Sequence, residues 1–367
     1  MANNIRKIRL GLIGAGGGST WASRAHFPAL PHSPDFELTA VCTTKPESAE
    51  AARKKHGAKF AFHDFRQMVA SPEIDAVAVV VRVPSHYEPT KAALEAGKHV
   101  YTEWPLGRTT AEAIELATLA KAKGLQTAVG LQSRVSPPLM FMKDQIESGY
   151  VGEVLACRVT LMRDGVLERT ASRTWQRDIT LGANTLTIAN GHTIDALRFV
   201  AGNFANISCK ITTQARQWFE SDTQRWVDVT SPDNVLVNGQ LANGAVASVH
   251  VAAIPWAGSG YRMEIYGREG TLVATGEDSP QLCEVRLFGA RGDNTLKELE
   301  IPARFIHVQP GMPQVAPYNV GQMYCGFAHA IRTGESRHPT FDSAVDLHHF
   351  VDALRQASDT GREVNLT

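Results

Sequence analysis

The feature that most constrains the fold is a regular alternation, over the first third of the chain, between short runs that are apolar throughout and segments of helical period. Ile8 to Ile13, Phe36 to Cys42, Ile74 to Val81, His99 to Thr102 and Gln126 to Gly130 read as strands. Glu47 to His56, Tyr87 to Ala96 and Thr110 to Lys123 read as helices between them. A strand that is apolar on both faces has to be covered on both faces, which a parallel sheet with crossover helices achieves. The pattern predicts a doubly wound α/β domain of the dinucleotide type. The turn after the first strand, Gly14-Ala15-Gly16-Gly17-Gly18-Ser19-Thr20, sits between a buried strand and a helix. There, backbone N–H groups and a helix N-terminus can approach a pyrophosphate. Ser19 takes the third glycine position of the usual fingerprint.

A helix from Pro137 to Ser148 ends at Gly149, and the pattern then changes to longer alternating strands: Glu153 to Met162, Asn234 to Leu241, Ala245 to Ala252, Arg262 to Tyr266 and Gly270 to Ala274. Hairpin signals at Ala242-Asn243-Gly244 and Arg268-Glu269-Gly270 join neighbours in that set, so a mostly antiparallel open sheet is expected. Helices from Val320 to Arg332 and Ser343 to Ser358 close the chain. The division expected is a nucleotide domain over residues 1–133 and an α+β domain over 134–367.

At 367 residues the chain suits two cores. Lys plus Arg equals Asp plus Glu at 37 each, for a formal net charge of zero, which argues against a polyanion-binding surface and so against nucleic acid as a partner. Cys42, Cys157, Cys209, Cys283 and Cys325 show no paired spacing, as reduced cytosolic thiols would. No apolar leader precedes the first strand, and no run nears the roughly 18 apolar residues of a membrane span. A cytoplasmic protein that makes no membrane contact is the expectation.

Leu10-Gly11-Leu12-Ile13-Gly14-Ala15-Gly16, His26-Phe27-Pro28-Ala29-Leu30, Glu95-Ala96-Gly97-Lys98-His99 and Glu103-x-Pro105-Leu106 form an ordered set. In this the chain resembles the glucose-fructose oxidoreductase / inositol dehydrogenase / MocA (Gfo/Idh/MocA) family. Gly18-Ser19-Thr20-Trp21-Ala22, Glu103-Trp104, Leu131-Gln132-Ser133-Arg134 and Gly191-His192-Thr193-Ile194-Asp195 are similar to the branch that holds the yeast galactose-regulon repressor, a regulator. The resemblance implies an N-terminal Rossmann domain, a C-terminal α+β domain whose last helices pack back toward the first, and a homodimer or homotetramer. It places Gly14, Gly16, Gly17, Thr20, Trp21, Val83, His86, Glu103 and Gln132 around a nicotinamide dinucleotide.

After the second strand, Cys42-Thr43-Thr44-Lys45 lacks the carboxylate that accepts from an NAD ribose. Thr43, Thr44 and Lys45 offer two hydroxyls and an ammonium to a 2′-phosphate, so NADP is preferred, with NAD as the alternative. Lys45 is otherwise a solvated turn residue. Arg82 either holds a phosphate or acidic group or pairs with a surface carboxylate.

In the family, a lysine between Glu and Pro moves the substrate proton, assisted by an Asp-x-x-x-His pair. Here the lysine position is Trp104 and the aspartate position Ile188. Trp104 has only an indole N–H and exchanges no proton near neutrality. His192 is the titratable survivor, and either acts as the acid–base group or is a satisfied core residue. Asp195 either orients that imidazole or pairs with Arg198. Trp104 either stacks on a sugar face or packs a core. Arg163, Trp175 and Asn184 fall in the substrate-facing region of relatives, and residues 169–177 carry three arginines that suit a polyhydroxylated or anionic ligand. His348-His349 is not a metal site, since adjacent helical residues point apart. Two functions fit these residues: an NADP-linked oxidoreductase of a sugar, cyclitol or polyol, and a nucleotide- and sugar-sensing regulator without turnover.

Overall fold

The computed structural model describes residues 6–18, 20–293 and 295–366. Ser19, the third-glycine position, and residues 1–5 lie outside the described residues. The chain divides into two compact units, Met1–Gln132 with His307–Asp346, and Ser133–Ile306 with Leu347–Thr367.

The first unit holds six parallel strands: β1 Ile8–Ile13, β2 Phe36–Cys42, β3 Phe60–Phe62, β4 Ala76–Val79, β5 His99–Thr102 and β6 Thr127–Val129. Their order is β3-β2-β1-β4-β5-β6, the doubly wound arrangement with its crossover point between β1 and β4. Every residue of β4 is fully buried, as a central strand covered on both faces must be. Crossover helices are bounded by local chemistry. Thr109 caps Thr110–Ala122 by accepting from the Glu112 N–H, and Gly57 in the left-handed region ends Pro46–His56. The long helix Ala316–Thr333 belongs to this unit as well.

In the second unit, β7 Val154–Arg163 is followed by β8 Glu168–Arg169, β9 Phe204–Thr212, β10 Gln217–Glu220, β11 Arg225–Asp228, β12 Asn234–Leu241, β13 Val246–Ala253, β14 Gly260–Gly267, β15 Gly270–Gly276, β16 Arg286–Arg291, β17 Lys297–Glu298 and β18 Val364–Asn365. A nine-stranded sheet runs β17-β16-β15-β14-β7-β13-β12-β9-β18, antiparallel except for the parallel pair β7 and β13. Both predicted hairpins are present, joining β12 to β13 and β14 to β15. A second, three-stranded sheet runs β11-β10-β8. Among the described residues no helix is long and apolar enough to cross a membrane, and no group of three His, Cys, Asp or Glu side chains is placed to hold a metal ion.

Candidate functional site

The glycine-rich turn is built around one close approach. Gly14 has φ +103°, and a Cβ there would lie 2.0 Å from the Val80 carbonyl oxygen, so only glycine lets the ends of β1 and β4 come together. A methyl group on Gly16 or Gly17 would meet nothing within 4 Å, so the space beside these two residues is open. Thr20 is engaged locally. Its N–H donates to Ser23 Oγ at 2.9 Å, and the Ser23 N–H donates back to Thr20 Oγ1 at 3.2 Å, fixing the start of the helical run at Trp21. At the end of β2, the Thr43 hydroxyl contacts Ser48 Oγ at 2.6 Å and donates to the Lys45 carbonyl, while Thr44 and Lys45 are exposed.

His86, assigned to the nucleotide by resemblance, has a different task here. It is buried, with Nδ1 2.7 Å from the Pro105 carbonyl and Nε2 3.1 Å from the Val81 carbonyl. It brackets the segment after β4 against the segment after β5, with both nitrogens facing main chain. Burial keeps its pKa below the ordinary imidazole value, against the pull of the two carbonyls. Arg82 and Val83 open the same segment, Arg82 exposed and Val83 buried.

Glu103 lies at the centre of a buried polar network. Its Oε1 is 2.8 Å from His26 Nε2, and its Oε2 accepts from Gln132 Nε2 at 2.8 Å. Gly130 makes room for that carboxylate, since a Cβ there would sit 2.2 Å from Oε2. His26 Nδ1 is 2.8 Å from the Tyr324 hydroxyl. Burial works to raise the Glu103 pKa, yet His26 and Gln132 outweigh it and hold the carboxyl below its usual value. The Trp21 indole lies near the same carboxylate and adds to that depression without closing a hydrogen bond of ordinary geometry. Trp104, next in sequence, is 5% exposed. The motif marks His26, but neither its role nor Tyr324 can be read from the sequence, because the latter is 298 residues away.

In the second unit, His192 is a buried residue in the first turn of the helix Gly191–Ala201. A π-helical turn, Thr185–Asn190, delivers it. Asn184 is first of all the cap of that turn. Its side chain accepts from the Thr187 N–H at 3.2 Å, and Thr187 Oγ1 accepts from the Asn184 N–H at 3.1 Å, a reciprocal capping box. Asn184 Nδ2 and Asn190 Oδ1 are buried and have no partner among the described residues. They leave one donor and one acceptor unmet, the complement of a hydroxylated ligand. Ile188 is half-buried within the same turn.

Asp195 neither orients His192 nor pairs with Arg198. It is fully buried and gripped in a fork by Arg134, whose Nη2 is 2.5 Å from Oδ1 and whose Nε is 2.9 Å from Oδ2. Arg198 instead donates to Asn203 Oδ1 and lies over the Phe350 ring. The fork ties the His192 helix to the turn that carries Arg134. Removing the arginine would strand a buried carboxylate, so Arg134→Ala should cost about 3 kcal/mol, measured as the shift in urea midpoint at pH 7. Arg163 is likewise engaged, with Nε 2.6 Å from Asp278 Oδ1. Trp175 lies half-buried in the short turn Thr174–Arg177.

Residues 8–131 match the family model described as oxidoreductase family, NAD-binding Rossmann fold, and residues 137–276 match the Gal80p C-terminal domain. Dehydrogenase aclE of Aspergillus oryzae is 28% identical over 97% of this chain and 98% of its own length. The galactose/lactose metabolism regulatory protein GAL80 of Kluyveromyces lactis is 30% identical over 66% of this chain and 57% of its own length. The solved structure of a levoglucosan dehydrogenase in complex with NADH and L-sorbose superposes with a TM-score of 0.84 at 24% identity, covering 99% of this chain and 100% of that one, a likeness of fold. With glycines at a β1–β4 crossover and both halves matched by related models, residues 8–131 carry the NAD-binding Rossmann domain of the Gfo/Idh/MocA oxidoreductase family and residues 137–276 a domain of the Gal80p C-terminal type.

Proposed function

We propose that the protein is an NADP-linked oxidoreductase acting on a sugar, cyclitol or related polyol. The observation that carries this reading is the unmet donor of Asn184 and unmet acceptor of Asn190 in the turn that leads into His192, amide atoms that hydroxyls would satisfy in the segment that carries a titratable group. The dinucleotide, when bound, supplies the hydride acceptor. His192 takes the hydroxyl proton as the carbinol hydrogen leaves as hydride, and gives a proton back to the carbonyl oxygen when the reaction runs toward reduction. Trp104 offers an apolar ring in the first unit, and in the second Trp175 and Asn184 orient the substrate. Glu103, held ionised by His26 and Gln132, keeps the strand end that carries Trp104 in one conformation. Dehydrogenase aclE, similar to this chain along nearly its whole length, supports the reaction class. A cytoplasmic homodimer or homotetramer is part of the same reading.

The absence of a carboxylate after β2, with Thr44 and Lys45 exposed, favours NADP over NAD. Lys45→Ala should therefore weaken NADP⁺ binding about threefold to tenfold and leave NAD⁺ unchanged, read by quenching of tryptophan fluorescence. Mixing the protein with NADP⁺ and a panel of sugars and cyclitols, while following absorbance of the reduced nucleotide, tests the reaction itself.

A second reading is favoured by Trp104 and Ile188, which stand where relatives carry the proton-moving lysine and its aspartate. It makes the protein a nucleotide- and sugar-sensing regulator that binds without turnover, and the GAL80 relative, a galactose/lactose metabolism regulatory protein by name, supports a regulatory role. Nucleotide and sugar binding with no reduced nucleotide formed across the panel would favour this one.

A further inference from the structure

We infer that the arginine cluster around β8 in the second unit is an oxyanion site, which takes the carboxylate or phosphate of an acidic sugar or sugar phosphate. The inference deepens the polyol reading above and rests on it for the sugar. Arg169, at the end of β8, lies 3.9 Å over the ring of Trp218 on β10 and donates through Nη1 to Gln176 Oε1 at 2.9 Å. Its Nε is shielded from solvent with no acceptor, and so is the indole Nε1 of Trp218. Two stacked side chains thus present buried donors that nothing among the described residues receives.

The nearby acids are committed elsewhere. Glu220, the register partner of Arg169 across β10 and β8, is occupied by Thr174, Thr223 and Arg225. Asp278 is held by Arg163 and by the Ser279 N–H. Arg169 forms no ion pair among the described residues, while two further guanidiniums, Arg173 and Arg163, bear on it electrostatically. Burial first, then those two charges, push its pKa down to about 10. A half-buried cation pressed by like charges and lacking a counterion is an expensive arrangement, and an arriving oxyanion relieves it. The guanidinium fork matches a carboxylate or phosphate in shape. If Arg169 served only as a brace for the three-stranded sheet, stacking on Trp218 would be enough and added anions would have no effect.

Isothermal titration of the full chain at pH 7 and fixed ionic strength tests the site, with D-gluconate, D-glucose 6-phosphate, inorganic phosphate and neutral D-glucose as probes. The charged sugars are expected to bind about tenfold or more tightly than glucose, and Arg169→Gln should bring them to within about twofold of it. The ranking of gluconate against glucose 6-phosphate identifies the carboxylate or the phosphate as the preferred group. Charged probes that bind wild type no better than glucose would overturn the site, as would a folded Arg169→Gln protein that keeps the preference. Should that variant lose its near-ultraviolet dichroism, Arg169→Lys keeps the charge without the fork, and the wild-type ranking still decides. Neutral polyols turned over by a protein indifferent to anions would sink the site and keep the proposed reaction. Phosphate binding lost in Arg169→Gln, with no sugar turned over, would do the reverse.

Discussion

Replacing His192 with alanine should lower kcat for the substrate that the sugar panel identifies by about 10²–10⁴-fold, the usual worth of a positioned acid–base group. NADP⁺ affinity should stay within about twofold, because the residues proposed to hold the nucleotide belong to the first unit and His192 to the second. The two effects have different origins. Holding a carbinol hydrogen near the nicotinamide is a matter of proximity, which the variant retains, whereas removing the hydroxyl proton needs a base, which it lacks. The residual rate should therefore lose the pH-dependent limb that an imidazole imposes. With Trp104 unable to exchange a proton and Ile188 apolar, no neighbour in the family's catalytic positions can substitute. A His192→Ala protein with wild-type kcat and an unchanged pH–rate profile would end the catalytic assignment.

The sequence carries the fold where burial is two-sided or strictly alternating. β1, β2 and β5 are readable to the residue because a mostly apolar run flanked by helical period folds as little else than a strand of a covered sheet. β3 escapes, being three half-buried residues at the sheet edge, too short for any period. β9 escapes as well, since Asn206, Ser208 and Lys210 interrupt a run whose inner face is modest. At the site, the glycines are legible because φ and close approach demand them. The partners are not. Asp195 meets Arg134 across 61 residues and Glu103 meets His26 across 77, and no local spacing signals contacts of that range. Asn184 is legible as a polar residue before an apolar run, but that its Oδ1 caps the turn while its Nδ2 stays unmet is visible only in the structure.

Folding stability should fall as the pH drops from about 6.5 to 4, and two buried histidines should account for much of the loss. His338, in the first unit, donates from Nε2 to the Thr127 carbonyl at 3.0 Å, and burial pushes its pKa down to about 4. His348, in the second unit, is pushed down to about 4 by burial as well. Both are neutral in the folded protein over this range, whereas in the unfolded chain they gain a proton as pH falls through about 6.5. The unfolded state then binds more protons than the folded one, so stability rises with pH across the window, and the dependence flattens above about 6.5 and below about 4. A depression of this size is worth about 3 kcal/mol per histidine, order of magnitude, between the two ends. The depressed carboxylates act lower. Asp75, brought to about 2 against burial by its hydrogen bonds with Arg9, loses its contribution as pH falls from near 4 toward 2, and Glu103 likewise only below the ordinary carboxylate range. Urea midpoints at pH 7, 5.5 and 4.5 should therefore decline steeply in wild type, less in His338→Gln or His348→Gln, and least in the double variant. Glutamine can still donate at position 338 but has no proton to gain. Parallel declines in all four proteins would mean that both rings titrate as they do in water and that their burial does not govern acid sensitivity.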